Sequence, residues 1–401
     1  MKINLAMIVR NEERCIRRCL EAALPYVDDV IIVDTGSEDR TVDILKEIAK
    51  ELAEKTSEIE HHLYLEHFTW EDDFSAARNF SLDLSEKQGA EINLVLDADE
   101  YLRPVPDGYG VLRTQAEQAI QKYGSGWQGN LVRFDQYRED GELEIARTET
   151  ARLLPKGIRY TGIVHEQTPG NLPIIETILT ADHDGYLQDG KGERDLALLL
   201  KQLEKDPENP YTNAQLGITL RNMQRPGEAL PYFDRFWQYW YPYLQEKDNQ
   251  NDVLTDYVCL AGVSYLYALC DVGTEDALDL AMQTAEEMEP CFEKIADYWF
   301  CLGTLYMQRI LENTEKYIDD LPMIEKCYLI CLQIGENSSP VSVEGVGSYK
   351  AAYNLGTWYE VSGQTERAAQ YYQMAADLGY SKARERLKAL GDGAVKTEKR
   401  S

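Results

Sequence analysis

Short apolar runs alternate with segments of helical spacing through the first hundred residues of the chain. An apolar run, an amphipathic segment and a second apolar run in succession are typical of a parallel sheet with helices on both faces. The runs that predict strands are residues 3–9, 30–33, 63–65 and 92–96, and the segments that predict helices are residues 12–23, 41–52 and 75–84.

After residue 99 the apolar runs become shorter and are separated by turn residues. Residues 131–137, 143–146 and 151–154 predict short antiparallel strands. We therefore expect an α/β domain over residues 1–192.

From residue 193 onward the pattern is almost wholly helical and it repeats. Two segments share a glycine, an alanine twelve residues later and an aromatic residue sixteen later. This spacing resembles the tetratricopeptide repeat, in which small residues let the two helices of a hairpin approach closely. Leu302-Gly303 begins a third copy, and residues 258–289 form a degenerate one. The two full copies contain Gly217, Ala229 and Phe233, and Gly356, Ala368 and Tyr372.

Such repeats stack into a solenoid that buries its core between neighbouring units. The second domain is therefore expected to be an all-α tetratricopeptide-like solenoid over residues 193–392. The charged residues 393–401 predict a disordered tail.

The chain is strongly acidic, with a net charge of −29 and a pI of about 4.6. An acidic surface repels phosphate backbones, so we expect no nucleic-acid partner. No apolar run is long enough to span a membrane, and the first run is too short for a signal peptide. The eight cysteines include no CxxC pair. Free thiols in a reducing compartment, and hence a cytoplasmic protein, are the expectation.

The acidic tripeptide Asp97-Ala98-Asp99 directly follows the last predicted parallel strand. Residues two apart in an extended segment point to one side, so both carboxylates can face the crevice at the carboxyl end of the sheet. A divalent cation would relieve their repulsion, and hard cations prefer carboxylate oxygens. Taken alone, the tripeptide fits an acidic turn after a strand as well as it fits a metal site.

Asp34 also follows an apolar strand, and residues 35–41 form a glycine-containing loop that leads into a helix. Such a loop can wrap around a nucleotide, with Asp34 accepting a hydrogen bond from a base N–H or a ribose hydroxyl. The loop also suits a helix cap, in which Ser37 or Asp39 binds the first backbone amides. Both interpretations can hold together.

Four blocks of sequence occur in a fixed order. They are Ile8-Val9-Arg10-Asn11-Glu12, Val30-Ile31-Ile32-Val33-Asp34-Thr35-Gly36-Ser37-Glu38-Asp39-Arg40-Thr41-Val42, Asp73-Phe74-Ser75-Ala76-Ala77-Arg78-Asn79 and Asp97-Ala98-Asp99-Glu100. Together they resemble the family 2 glycosyltransferases, which have the GT-A fold. The resemblance implies an α/β GT-A (nucleotide-diphospho-sugar transferase) domain. It also implies an inverting transfer from a nucleotide-activated sugar, usually with Mn²⁺ or Mg²⁺.

The same resemblance implies roles for individual residues. It places Asp34 near the base, Arg78 in the nucleotide pocket and Asp97 near the ribose or the metal. Asp99 becomes the metal ligand proper. The implied nucleotide-sugar site also includes Val9, Asn11, Glu12 and Ala98.

Two further motifs, Val164-His165-Glu166 and His183-Asp184-Gly185-Tyr186, resemble one branch of this family. That branch joins a short catalytic domain to tetratricopeptide-like helices and includes the peptide S-glycosyltransferases of glycocin bacteriocins. We predict Glu166 as the general base, because it lies in a motif beyond the metal site and is not needed for metal binding, with Glu100 and Asp184 as the alternatives. His165 is expected to orient Glu166, hold a loop or contact substrate. His183, between two aspartates, is predicted to be a third metal ligand or a diphosphate contact.

A UDP-sugar is the expected donor, and a peptide, a protein or a glycan precursor is the expected acceptor. The aromatic residues 236–241 offer a surface for an acceptor peptide or for a homodimer. The alternative is an interaction scaffold whose transferase-like domain is catalytically inactive. A nucleotidyltransferase would need a basic glycine-rich phosphate loop near the N-terminus, and Arg10-Asn11-Glu12-Glu13 contains no glycine.

Overall fold

A computed structural model describes residues 1–54, 60–139, 142–185, 191–245, 256–336 and 342–398. The chain divides into two compact units, Met1–Lys205 and Asp206–Ser401. This division lies beyond the boundary expected at residue 192, because helix α5 (Lys191–Lys205) belongs to the first unit. The side chain of Gln202 in α5, for example, accepts a hydrogen bond of 2.8 Å from the amide of Ile163.

One mixed sheet forms the centre of the first unit. Its strands are β1 (Ile3–Val9), β2 (Val30–Asp34), β3 (Leu63–His67), β4 (Ile92–Val95), β5 (Glu100–Leu102), β6 (Gln128–Glu139), β7 (Glu142–Pro155) and β8 (Ile174–His183). They lie in the order β3-β2-β1-β4-β7-β6-β8-β5. β1 to β4 run parallel as predicted, and β7 joins β4 in the antiparallel direction.

The helices of the first unit are α1 (Ile16–Ala23), α2 (Thr41–Glu54), α3 (Phe74–Lys87), α4 (Gly108–Tyr123) and α5. The three predicted helices are confirmed, with shifted ends. α3 begins after Asp73, whose side chain accepts a hydrogen bond of 3.0 Å from the amide of Ala76, which is a typical N-cap.

The chain beyond residue 100 differs from the expectation. The two segments predicted as separate strands, residues 143–146 and 151–154, belong to the single long strand β7, which pairs with β6 along its length. The polar stretch Arg147-Thr148-Glu149-Thr150 is typical of a turn in sequence, but here it remains in the ladder. Strands β5 and β8 and helix α4 had no predicted counterpart.

Both faces of the parallel strands are covered, as predicted. Ile3, Leu5 and Met7 of β1 share a buried cluster with residues of α1, α2 and α4. Ala6, on the opposite face, packs with Leu82 of α3. The carboxyl ends of the strands are therefore left as the edge at which polar groups can gather.

The second unit is a solenoid of tetratricopeptide-like helix pairs. Its helices are α6 (Pro210–Asn222), α7 (Pro226–Leu244), α8 (Asp256–Val272), α9 (Glu275–Phe292), α10 (Ala296–Glu312), α11 (Thr314–Tyr317), α12 (Leu321–Ile334), α13 (Tyr349–Val361), α14 (Thr365–Asp377) and α15 (Ser381–Glu398), with a two-residue strand β9 (Ser342–Val343).

Each repeat brings a glycine of one helix against an aromatic ring of its partner helix. A Cβ atom on Gly356 would lie 2.5 Å from Cδ1 of Tyr372, which is fully buried. Since such an approach is possible only without a side chain, the glycine of each repeat is required by helix packing. The four pairs are Gly217 and Phe233, Gly262 and Phe292, Gly303 and Tyr328, and Gly356 and Tyr372.

Helix α15 extends to Glu398 and so includes residues 393–398 of the segment for which the sequence predicts a disordered tail. Alanine, lysine and glutamate in this stretch favour a helix. Residues 399–401 lie outside the described residues. A search of the described helices for one that is long and apolar enough to cross a membrane finds none. All eight cysteines are free thiols.

Candidate functional site

The predicted site residues at the ends of β1, β2 and β4 lie together at the carboxyl edge of the sheet. Val9, the last residue of β1, pairs with Asp34, the last residue of β2. The tripeptide Asp97-Ala98-Asp99 follows β4, the other neighbour of β1. Ala98 points into the apolar core, which leaves the two carboxylates to the polar edge.

Asp34 organises the loop that follows it. Its buried carboxylate accepts hydrogen bonds of 3.1 Å from the amides of Gly36 and Ser37. The carboxylate of Asp39 accepts a hydrogen bond of 2.9 Å from the amide of Thr41, the first residue of α2. The cap interpretation of this loop is therefore confirmed, and the loop is held open at the sheet edge.

The turn after β1 clamps the same loop from the other side. Asn11 has a φ of 58°, a left-handed conformation that asparagine adopts more readily than most residues. The side-chain oxygen of Asn11 accepts a hydrogen bond of 2.7 Å from the backbone amide of Glu38. The backbone amide of Asn11 donates a hydrogen bond of 3.0 Å to Oγ of Ser37. The amide of Glu12 donates to Oγ1 of Thr41 over 2.7 Å.

Asp97 lies between two buried arginines. Its Oδ1 pairs with Nη2 of Arg78 at 2.5 Å, and its Oδ2 pairs with Nη2 of Arg152 at 2.6 Å. Burial disfavours ionisation of Asp97, but the two guanidinium groups outweigh this effect and hold its pKa well below the usual range. Asp97 is therefore a carboxylate whose charge is already balanced by the protein.

Asp99 faces His183 instead. The Nε2 atom of His183 lies 3.6 Å from Oδ1 of Asp99, and both side chains are buried. Gly185 packs against both side chains. A Cβ atom on Gly185 would lie 2.5 Å from Nε2 of His183 and closer still to Oδ2 of Asp99. The glycine of the downstream motif thus permits the approach of the two side chains. Tyr186, the last residue of that motif, lies outside the described residues.

The other ring nitrogen of His183 is held by a second carboxylate. Nδ1 of His183 lies 2.7 Å from Oδ1 of Asp135 on the neighbouring strand β6. Burial lowers the pKa of His183, but hydrogen bonds to Asp135 and Asp99 outweigh burial and raise it to about 9.

Glu166 is connected to Asp97 through Arg78, and His165 precedes Glu166 in the chain. The nearly buried carboxylate of Glu166 pairs with Nε of Arg78, so Arg78 links it to Asp97. His165 has a φ of 50°, and burial lowers its pKa. The structure thus groups Glu166, Arg78 and Asp97, and groups Asp99 with His183. It does not bring Asp97, Asp99 and His183 into one cluster.

Sequence reasoning did not find Arg133, Asp135 and Arg152, which join these two groups through Glu100. Arg152 pairs with Glu100 at 2.6 Å as well as with Asp97, and Arg133 pairs with Glu100 at 3.1 Å and with Asp135 at 2.6 Å. The signal for Arg152 was an arginine inside an apolar segment, since a buried charge needs a partner. These contacts form a continuous series of ion-paired side chains in which acidic and basic groups alternate. In order, its members are Glu166, Arg78, Asp97, Arg152, Glu100, Arg133, Asp135, His183 and Asp99.

The donor atoms at Asp99 and His183 suit a divalent cation. A carboxylate oxygen and an imidazole nitrogen converge there, and a second carboxylate on the far ring nitrogen is the usual surrounding of a metal-binding histidine. In the described part of the chain, no group of three His, Cys, Asp or Glu side chains forms a metal cage. Mg²⁺ is commonly held by one or two protein ligands together with substrate phosphates, so a pair of protein ligands is sufficient.

Two curated relatives resemble the chain over part of its length. A TPR repeat-containing protein of Synechococcus elongatus is 29% identical over 54% of this chain and 51% of its own length. The SPbeta prophage-derived glycosyltransferase SunS of Bacillus subtilis is 26% identical over 58% of this chain and 52% of its own length. The chain therefore spans about half the length of the curated relatives it matches.

A solved structure and a family model complete the comparison. The crystal structure of MamA is 19% identical, with a TM-score of 0.33, and covers 49% of this chain and 92% of its own. The model of the family described as "Glycosyl transferase family 2" matches residues 5–150, which include β1 to β4 and the Asp97-Ala98-Asp99 tripeptide. Residues 5–150 therefore resemble a glycosyl transferase family 2 domain, and tetratricopeptide-like helices form the second unit.

Proposed function

We propose that this protein is an inverting, metal-dependent glycosyltransferase that moves a sugar from a UDP-sugar to a peptide, a protein or a glycan precursor. The observation that carries the proposal is the pairing of Asp99 with His183 beside the Arg78–Asp97–Arg152 group. Both lie at the carboxyl edge of a sheet whose sequence matches the family 2 model.

The loop after β2 supplies the nucleotide end of the proposed donor site. Asp34 and Asn11 fix this loop through its backbone amides, so its shape does not depend on the ligand. A preformed loop loses little conformational entropy when a nucleotide binds. Val9 and Glu12 contribute through their backbone, which holds Thr35 and Thr41 in place.

Asp99 and His183 are the proposed ligands of Mn²⁺ or Mg²⁺. A divalent cation bound there supplies positive charge to the diphosphate of the donor as the sugar leaves. Arg78 and Arg152 add two fixed positive charges nearby, and their burial makes those charges effective in a low-dielectric site. Asp97 keeps the two guanidinium groups apart and oriented.

Glu166 is the proposed general base, and its pairing with Arg78 restricts that role. The contact with Nε of Arg78 engages Oε1 of Glu166 and fixes the direction of its carboxylate. A thiol acceptor ionises near neutral pH and needs less assistance than a hydroxyl acceptor does. The transfer rates of Glu166→Gln to a cysteine peptide and to a serine peptide distinguish a thiol acceptor from a hydroxyl acceptor. If the substitution lowers the transfer rate equally for both peptides, Glu166 acts through Arg78 rather than as a base.

The direct test of the proposed activity is hydrolysis of a panel of UDP-sugars with Mn²⁺, with Mg²⁺ and with EDTA. We expect metal-dependent release of UDP, and loss of that release in Asp99→Ala. Asp43→Ala, an exposed aspartate in α2, is the matched control and should behave as the wild type. Hydrolysis that survives both EDTA and Asp99→Ala would refute the proposed metal-dependent mechanism.

An interaction scaffold is the second candidate, and it is favoured by the relative whose name records only its TPR repeats. A scaffold with an inactive first unit should bind UDP no better with Mn²⁺ than without it. Calorimetry in the two conditions therefore distinguishes the candidates. Light scattering on the full chain tests the homodimer proposed for the helical unit.

A further inference from the structure

Asp135 on β6 is almost fully buried and is not among the residues proposed above to contact the donor or the metal. It lies opposite His183 in the parallel register of β6 and β8, and its Oδ1 is 2.7 Å from Nδ1 of His183. Its position is therefore set by strand pairing rather than by a flexible loop.

Contacts from its own strand and from β7 fix the orientation of the Asp135 carboxylate. Arg133, two residues earlier on β6, pairs with Oδ1 at 2.6 Å. Thr148 on the neighbouring strand β7 donates a hydrogen bond of 2.7 Å to Oδ2. Both oxygens are occupied, so the carboxylate cannot turn without breaking at least one contact.

A fixed acceptor at Nδ1 determines which nitrogen of His183 is available. The Nδ1–H group donates to Asp135, so when a cation displaces the second proton of the ring, the lone pair that binds it lies on Nε2. Nε2 is the atom that faces Asp99 at 3.6 Å. We propose that Asp135 is a positioning residue that fixes the ring plane and the tautomer of His183 for a divalent cation. This inference rests on the proposed metal-dependent function.

Aspartate-to-asparagine exchange at position 135 tests the proposal with little change in shape. Asp182→Asn is the matched control, because Asp182 precedes His183 on β8 and pairs with Arg103 at 2.7 Å. Successive residues of a strand point to opposite faces, so this control removes a neighbouring charge without touching the His183 ring. Thermal melting of both variants checks that each is folded.

The measurement is Mn²⁺ binding to the full chain in the presence of UDP. The electron paramagnetic resonance signal of free aqueous Mn²⁺ reports the unbound ion. In Asp135→Asn we expect a Kd for Mn²⁺ raised about 10- to 100-fold, the usual cost of losing such a partner. Asp182→Asn should match the wild type. The Kd for UDP in EDTA should be unchanged in both variants.

Each contrary result has a distinct meaning. A wild type that binds no Mn²⁺ beside UDP overturns the proposed metal dependence, and this inference falls with it. If the wild type binds Mn²⁺ and Asp135→Asn binds it equally well, only the positioning role is overturned. If Asp182→Asn weakens Mn²⁺ binding as much as Asp135→Asn does, the cause is the loss of a negative charge and the orientation of His183 is not involved. Weaker UDP binding in EDTA would show a general collapse of the site, which also overturns the role.

Discussion

Replacing Gly185 by alanine tests whether the spacing between Asp99 and His183 matters. The new Cβ atom would lie 2.5 Å from Nε2 of His183 and 3.0 Å from Cγ of Asp99. Ordinary contacts between heavy atoms are about 3.5–4.0 Å, so at least one side chain must move by about 1 Å.

The expected loss follows from that displacement. Asp99 and His183 are 5% and 6% exposed, so neither can swing into solvent without leaving the other. A misplacement of about 1 Å at a reacting site costs roughly 100-fold in rate. Overpacking costs about 1–3 kcal/mol of folding stability, which a two-unit protein of this size should tolerate.

Metal-dependent hydrolysis of a UDP-sugar is the assay for Gly185→Ala. Gly170→Ala is the control, because a Cβ atom there would meet nothing within 4 Å. We expect the control to retain full activity and Gly185→Ala to lose it while remaining folded by circular dichroism. Unchanged turnover in folded Gly185→Ala would refute the reasoning, since the pair would then tolerate a separation that the proposed metal site does not.

Three further outcomes are expected. Arg78→Met should lower the free energy of unfolding in urea by about 3–5 kcal/mol, because it leaves the carboxylate of Glu166 without its arginine and Asp97 with Arg152 alone. Burial disfavours ionisation of Glu86, but hydrogen bonds from Arg159 and a backbone amide outweigh it and lower the pKa of Glu86. Glu86→Gln should therefore be less stable than the wild type at pH 7, and the difference should close as the pH falls below 4.5. Gly356→Ala should destabilise the helical unit by about 1–3 kcal/mol in thermal melts, since its Cβ meets a buried ring.

Matched variants separate these effects from general disturbance. Arg17→Met removes an exposed pair and should cost less than about 1 kcal/mol, so a similar loss in Arg78→Met would contradict the buried-pair argument. If the difference in unfolding free energy between the wild type and Glu86→Gln grows as the pH falls, the lowered pKa of Glu86 does not stabilise the fold as proposed. Gly227→Ala places a methyl group in open space on a helix and should be neutral or stabilising.

The parallel part of the fold could be predicted because each of its signals is local. An apolar run followed by an amphipathic helix specifies a strand and the cover of one face, and the carboxyl ends of such strands meet at one edge. Asp34 and the Asp97-Ala98-Asp99 tripeptide were placed correctly at that edge for this reason. The packing role of Gly217 and Gly356 could also be predicted from the sequence, because a helix pair that packs closely requires a residue without a side chain.

The antiparallel half could not be predicted in the same way. The partners of a strand such as β8 depend on register, and β8 runs parallel to β6 but antiparallel to β5. Charged residues in β6 and β7 weaken the apolar alternation by which strands are recognised. Arg133 and Arg152 pair with Glu100, and Asp135 pairs with His183 on β8, so the role of these charged residues becomes clear only when the register of the strands is known.

The two carboxylates of the tripeptide illustrate how register changes a chemical argument. The sequence argument for a metal relied on repulsion between Asp97 and Asp99, which a cation would relieve. In the structure Arg78 and Arg152 already balance the charge of Asp97, so repulsion requires no cation. The case for a metal rests instead on Asp99 and on His183, a residue distant in sequence. The groups proposed to face the nucleotide and the metal therefore have separate partners, and the buried Glu100 is the residue through which Arg152 and Arg133 join them.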